Sequence, residues 1–329
     1  MLVEAIALNE FQLIEKYFTA SQRGDAVLLG VGDDAAIVDV PSGYRLVVSV
    51  DTIVEGMHFP FGTHAADIAY RALAVNLSDM AAMGAIPKWF TLSLCIPSVN
   101  ESWLASFADS MHELASQFNV QLIGGDTVKG SLNISIQILG VVESDRWLTR
   151  TGAKQGDLIC ISGIPGEAAG GLQTLLNPRS SLNELQQHCA QQLIHRFNRP
   201  MPRVNLGRQL RLHASSAMDV SDGLLTDLKK LCAASGCGAR LQIDQLPSSS
   251  ALNALFDAHQ CEQLTLCGGD DYELLFTIAP SELPRLKAAV TAEDSFTVIG
   301  EITRDHEVGC FRAEQSIEIV DSGFDHFKD

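Results

Sequence analysis

Short β-branched runs alternate with stretches of helical spacing through both halves of the chain, and this alternation restricts the fold to the α/β or α+β class. In the first half Phe11, Leu13, Ile14, Tyr17 and Phe18 mark a helix over residues 10–18, and Tyr44-Arg-Leu-Val-Val-Ser-Val-Asp51 reads as a strand ending in an acid. Ile68, Ala69, Ala72, Leu73, Asn76, Asp79, Met80 and Met83 predict a helix between residues 64 and 84, with Asn76 and Asp79 sharing a face. A strand over 89–97, a helix over 101–119 and a strand over 119–123 that runs into the turn Gly124-Gly-Asp-Thr127 follow. Leu132, Ile134, Ile136 and Ile138 alternate with polar residues, the pattern of a half-buried antiparallel strand. The second half predicts a strand over 157–162, helices after a Gly-rich turn and after Pro200-Met-Pro202, and a helix opened by Asp219-Val-Ser-Asp-Gly223. Strands over 241–246 and 274–278 complete it, the latter preceded by Gly268-Gly-Asp-Asp-Tyr-Glu273.

At 329 residues the chain is long enough for two domains of ordinary size. The pattern lapses in Leu148-Thr-Arg-Thr-Gly-Ala-Lys-Gln-Gly156, which places the boundary between residues 1–148 and 149–329. Against 40 Asp and Glu stand 23 Lys and Arg, a net charge of -17 that argues against nucleic acid and against an anionic membrane surface as partners. A small anionic substrate then requires a local cation, such as a bound metal. The eight cysteines form no C-x-x-C pair and sit mostly in apolar runs, as expected of reduced thiols in a cytoplasmic protein. The start of the chain lacks the pattern of a signal peptide, and no stretch has 18 uninterrupted apolar residues, so no membrane partner is expected.

Carboxylates recur beside Gly or Ser at the ends of the predicted elements: Gly32-Asp-Asp34, Ser49-Val-Asp51, Leu77-Ser-Asp79, Gly124-Gly-Asp126, Asp219-Val-Ser-Asp222 and Gly268-Gly-Asp-Asp271. Oxygen ligands of this kind suit hard divalent cations, which are commonly shared with substrate phosphates. Two carboxylates about 4 Å apart repel by roughly 4 kcal/mol at an effective dielectric of 20, so their convergence needs cations such as Mg²⁺. Any one Gly-Asp turn, taken alone, is explained better by Asp's preference for turns and helix caps than by a ligand role. Asp79 is not, because it lies inside a helix where it caps nothing. Gly30-Val-Gly-Asp-Asp-Ala35 has dinucleotide-fingerprint spacing, but Pro41 leaves no room for the helix that such a site needs. Gly124-Gly-Asp-Thr-Val-Lys-Gly-Ser131 is not a Walker A loop. If the chain handles ATP, it does so through metal and carboxylates. His58 in a Gly-containing loop, Arg150 at the boundary and Phe324 near the C-terminus are further candidates, for a polar contact, a phosphate clamp and a stacking ring.

In their order and spacing these motifs resemble the thiamine-monophosphate kinases, of the superfamily that includes aminoimidazole ribonucleotide synthetase. The resemblance spans nearly the whole chain. It is carried by Gly32-Asp-Asp-Ala35, Ser49-Val-Asp-Thr-Ile-Val-Glu-Gly-Met-His-Phe59, Ala74-Val-Asn-Leu-Ser-Asp-Met-Ala-Ala-Met-Gly84, Gly124-Gly-Asp-Thr127, Leu148-Thr-Arg150, Asp219-Val-Ser-Asp-Gly-Leu224 and Gly323-Phe-Asp-His-Phe327. It implies ATP-dependent, Mg²⁺-dependent phosphorylation of thiamine monophosphate. It implies Asp34, Ser49, Val50, Asp51, Asp79, Asp126, Asp219 and Asp222 as metal ligands, and Gly125, Asp126, Arg150 and Ser221 as ATP contacts. His58, Asp270 and Phe324 are implied as substrate contacts, and Asp126, Asp79 and Arg150 as the catalytic group. Two positions depart from the family pattern: Val50, where Thr is usual, offers only its backbone carbonyl, and Asp270, where Glu is usual, shortens a carboxylate arm. The implied fold is two-domain, with an N-terminal ATP- and metal-binding domain pairing into a shared β-barrel across a homodimer and a C-terminal α/β domain completing the site. The rivals are another ATP-dependent enzyme of the superfamily, of the purine cyclo-ligase or hydrogenase-maturation type, and a non-catalytic module that binds divalent cations.

Overall fold

The alternating runs fold into two main sheets, one in each of two units. The computed structural model describes residues 9–19, 26–319 and 323. The first unit comprises residues 1–76 and 87–144, the second residues 77–86 and 145–329. The units thus divide after residue 144, where the sequence reading divides after 148, and residues 77–86 group with the second.

The first unit begins with α1 (Glu10–Phe18), capped by Asn9, whose side chain accepts from the Gln12 N–H while Gln12 returns the bond. β1 (Val27–Leu29) and β2 (Ile37–Val38) pair antiparallel on either side of the Gly32–Ala35 turn. β3 (Tyr44–Val54), α2 (Ala65–Ala82), β4 (Ile86–Ile96), α3 (Glu101–Gln117), β5 (Gln121–Lys129) and β6 (Asn133–Glu143) follow. Their sheet has the order β3-β6-β4-β5. β4 and β5 are parallel with α3 between them in sequence, whereas β3 and β6 pair antiparallel from Tyr44↔Glu143 to Val54↔Asn133. As the alternation predicts, Ile134, Ile136 and Ile138 are buried, with Asn133, Ser135 and Gln137 less so.

Two boundaries differ from the sequence reading for the same reason. β3 continues past Asp51 to Val54 because β6 supplies a partner for every residue, so Asp51 lies inside a strand. β5 likewise runs through Gly124-Gly-Asp-Thr127, each residue paired with β4. Gly125 is required there, since a Cβ would stand 2.0 Å from the Leu92 carbonyl oxygen. The four-stranded sheet is open, so the expected barrel does not close among the described residues of this chain.

The second unit contains β7 (Leu158–Ser162), α4 (Glu167–Leu176), α5 (Glu184–Asn198), α6 (Val204–Leu210), β8 (Ala214–Val220) and α7 (Leu224–Ser235). β9 (Gly238–Gln242), α8 (Ser250–Leu255), α9 (Ala258–Cys267), β10 (Glu273–Ile278), α10 (Leu283–Ala289), β11 (Phe296–Thr303), β12 (Val308–Arg312) and β13 (Gln315–Ile317) follow. The seven strands have the order β13-β12-β9-β11-β7-β10-β8, antiparallel except for β12 on β9. α7 packs on this sheet through Leu224, Leu225, Leu228 and Leu231, in one core with Ile159, Ile161, Val220, Leu241 and Leu275. The strand expected over 241–246 ends at Gln242 and passes into a 3₁₀ turn, Ile243–Gln245, where the Asp244 carboxylate accepts from the Ala313 N–H. No helix among the described residues is long and apolar enough to cross a membrane.

Candidate functional site

In the first unit two of the acidic motifs meet. The turn Val31–Asp34 and the strand segment Gly124–Thr127 line one cavity of about 410 Å³, walled on its apolar side by Ile14, Phe18, Leu92 and Leu122. Gly32 takes φ +112°, and the Asp34 N–H donates to the Asp33 carboxylate at 2.9 Å, a bond within the turn. Asp34 and Asp126 therefore share one hollow, and both are exposed to it.

On β3, Ser49 and Asp51 are half-buried, while Val50 alternates to the exposed face. The Asp51 N–H donates to Asn76 Oδ1 at 3.2 Å, and the Asn76 Nδ2 donates to the Ala72 carbonyl at 2.9 Å. That second bond fixes the amide orientation, making Asn76 a positioning residue for Asp51. His58 lies in the turn after β3, bracketed by the Glu55–Phe59 bridge. Its Nδ1 accepts from the Val54 N–H at 3.1 Å, which assigns the proton of the neutral ring to Nε2.

In the second unit Asp79 is brought to Asp219. Asp219 is buried, and burial, then the charge of Asp79, push its pKa up to about 7, against the pull of the Ser78 hydroxyl, which donates at 2.7 Å. Such a pair is the kind of oxygen donor set that a divalent cation relieves. Ser221 and Asp222 follow directly, and Asp222 is ion-paired with Lys230, which also lies 2.8 Å from Asp227. Asp227, fully buried, accepts from the Ser221 and Asp222 N–H groups at 3.0 Å each. Sequence reasoning missed it; an acid in the first turn of a helix beginning after Gly223 was the available signal.

The Gly268–Glu273 segment packs on this loop. The Asp270 N–H donates to the Ser221 carbonyl and the Tyr272 N–H to that of Val220, each at 2.8 Å. Asp271 is buried and accepts from the Gly166 and Ala168 N–H groups at 2.7 and 3.3 Å, capping α4; burial pushes its pKa up to about 8. Glu273, fully buried, accepts from Arg203 Nε and Nη2 at 2.6 and 2.7 Å, from Arg196 Nη2 at 2.5 Å and from the Ser162 hydroxyl. Arg150 is exposed, its carbonyl accepting from the Ser235 hydroxyl at 3.0 Å. Phe324 lies outside the described residues.

Among the described residues no three His, Cys, Asp or Glu side chains gather into a metal cage. What the structure assembles instead are smaller sets: Asp34 with Asp126, Asp79 with Asp219, and Asp222 with a lysine.

Residues 32–142 match the family model "AIR synthase related protein, N-terminal domain", and residues 154–312 match "AIR synthase related protein, C-terminal domain". Over 326 residues, 98% of this chain and 99% of the relative, the sequence is 45% identical to the thiamine-monophosphate kinase of Escherichia coli (strain K12). The chain belongs to the thiamine-monophosphate kinase family. The crystal structure of the thiamine-monophosphate kinase from Stenotrophomonas maltophilia K279a superposes with a TM-score of 0.84 at 41% identity, covering 93% of this chain and 97% of that one. A second family structure, AaThiL complexed with AMPPCP and TMP, superposes with a TM-score of 0.75 at 27% identity, covering 99% of each chain. In the segment Gly268-Gly-Asp-Asp271 the second acid, Asp271, is turned into the interior.

Proposed function

We propose that this chain transfers the γ-phosphoryl group of ATP to the phosphate of thiamine monophosphate, giving thiamine diphosphate. The observation that carries the reading is the shared cavity of Gly32–Asp34 and Gly124–Thr127, a hollow lined by both carboxylates and apolar side chains, in a chain of this family. The acceptor phosphate is already ionised near neutral pH, so transfer proceeds in line without a strong base and without a phospho-enzyme. What the chain must do is hold two polyanions aligned.

The donors present, carboxylate, hydroxyl and carbonyl oxygens, suit a hard cation. Magnesium, when bound, supplies the positive charge that lets the two sets of phosphates lie together. In the first unit Asp34, Ser49, the Val50 carbonyl, Asp51 and Asp126 would hold it; in the second, Asp79, Asp219 and Asp222 would, Asp222 by exchanging Lys230 for the metal. Gly125 and Asp126 in the first unit, with Arg150 and Ser221 in the second, contact ATP, and Asp126, Asp79 and Arg150 form the catalytic group. His58 offers its Nε2 proton to the substrate. Asp270 and the Phe324 ring serve the thiamine side, where an aromatic face suits the cationic thiazolium.

The test is ADP release with thiamine monophosphate, thiamine and aminoimidazole-type precursors offered in parallel. Only thiamine monophosphate is expected to turn over. Release with an aminoimidazole precursor would instead support the cyclo-ligase rival, and calorimetry without Mg-ATP binding would leave a non-catalytic module.

The chain also acts as a homodimer in this reading, its N-terminal domain completing a β-barrel with its copy. Support comes from β3, an edge strand whose outer face carries Leu46, Val48 and Val50 at 44%, 49% and 60% exposure. Val48→Lys places a charge on that face and is expected to convert the dimer to a monomer in size-exclusion chromatography with light scattering. A wild-type monomer, or a dimer unaffected by the lysine, overturns this use of the face. The eight free thiols fit a reducing cytoplasm.

A further inference from the structure

The Gly268–Glu273 segment contains two residues other than glycine in the left-handed region, Asp270 at φ +71° and Tyr272 at φ +52°. Such conformations are costly for side chains with a Cβ and persist only where the surroundings impose them. Between them sits Asp271, 1% exposed. Its two carboxyl oxygens accept from Gly166 and Ala168 at the start of α4, an end whose own cap position is a glycine without a side chain to offer. On the other side the Asp270 and Tyr272 N–H groups are tied to the Ser221 and Val220 carbonyls. Gly269 fits beneath, where a Cβ would stand 2.6 Å from the Ser221 carbonyl oxygen. Asp270 is therefore held from both sides, and a buried carboxyl supplies one of the two anchors.

The neighbouring Ser221–Asp222 backbone has an anchor of its own. Asp227, also buried, binds both of its N–H groups. Each of two adjoining loops thus has one interior aspartate that touches backbone rather than solvent. Burying a carboxyl costs free energy unless its oxygens are satisfied; Asp271 is satisfied by two N–H groups at the start of α4, and Asp227 by two loop N–H groups and Lys230.

We infer that Asp271 is a positioning residue, one that pins the strained segment to α4 so that Asp270 is presented to thiamine monophosphate, while Asp227 does the same for Ser221 on the nucleotide side. The inference rests on the reading above in which Asp270 contacts substrate and Ser221 contacts ATP.

Steady-state kinetics of the full chain tests it. Asp271→Asn keeps the size of the side chain but sets an amide N–H against a backbone N–H. KM for thiamine monophosphate is expected to rise about ten- to a hundredfold, as for a misplaced substrate-binding group, with KM for ATP within about twofold of wild type. Asp227→Asn is expected to give the opposite pattern. A purely structural role would lower the folded fraction and hence the apparent kcat, leaving both KM values in place. Should the Asn variant fail to fold, Asp271→Ser, smaller and uncharged, gives the same comparison. Both KM values rising together, or neither changing, overturns the inference. Asp270→Asn separates the two layers: a raised KM for thiamine monophosphate there but not in Asp271→Asn sinks the positioning role alone, and an unchanged KM in Asp270→Asn sinks the substrate role of Asp270 and the inference with it.

Discussion

Replacing Asp126 by asparagine is expected to lower turnover of thiamine monophosphate about a thousandfold, the scale of removing one fixed electrostatic partner of a developing charge, while thermal unfolding stays where it is. The two halves of that expectation come from one observation. Asp126 lies on β5 opposite Ser93 of β4, and its side chain is exposed on the wall of the cavity. The ladder that keeps β5 in place uses backbone groups, so an amide of the same size leaves it intact. Exposed substitutions of this kind usually change stability by no more than about 0.5 kcal/mol. The charge that is lost, in contrast, faces the site in which, on our reading, two phosphates must be brought together. The measurement is ADP release at saturating ATP and thiamine monophosphate, beside a melting curve. Near-wild-type turnover would remove Asp126 from the catalytic group, and a fall in the melting temperature would mean that the side chain matters to the sheet.

How far the sequence discloses this molecule depends on whether a feature repeats. β6 was legible because Leu132, Ile134, Ile136 and Ile138 follow the two-residue period of a pleated strand, and α2 because its apolar residues follow the helical one. The ends of β3 and β5 were not, because a strand extends as far as its partner does, and the partner is distant in sequence. The Gly-Gly-Asp pattern at 124–126 looks like a turn and is strand, and Gly125 serves the close approach of Leu92 instead of a change of direction. At Gly268-Gly-Asp-Asp271 the sequence shows two adjacent acids and cannot say which faces inward. Two left-handed residues break the alternation there, and Asp271 goes in. The cavity between Gly32–Asp34 and Gly124–Thr127 joins motifs some 90 positions apart, a pairing that no local pattern carries. Lys230 beside Asp222 and Asp227 was missed because a lysine on a helix reads as a solvated charge until its partners are known.

The largest effect on stability is expected from Glu273→Ala. Glu273 is wholly inside the second unit, where Arg203 grips both of its oxygens, Arg196 reaches one, and the Ser162 hydroxyl adds a fourth bond. Taking the carboxylate away leaves Arg203, itself buried, without the partner of its Nε and Nη2, with the Glu293 carbonyl still accepting from its Nη1. Breaking a buried pair by removing one partner costs about 3–5 kcal/mol. At roughly 2–4 °C per kcal/mol for a unit of this size, the melting temperature should fall by about 6–20 °C. The pH dependence has a definite sign. Burial alone would raise the pKa of Glu273, but the hydrogen bond and charge of Arg203, then Arg196 and Ser162, outweigh it and hold the carboxyl below its usual value. A depressed carboxylate pKa means that the unfolded chain binds the proton first, so the stabilisation is present above the ordinary glutamate range and is lost as pH falls through the folded value. Urea unfolding of wild type and Glu273→Ala should therefore differ most near neutral pH and converge in acid. A gap between the two that stays constant from neutral to strongly acidic pH would show that packing around residue 273, and not its charge, supports this part of the fold.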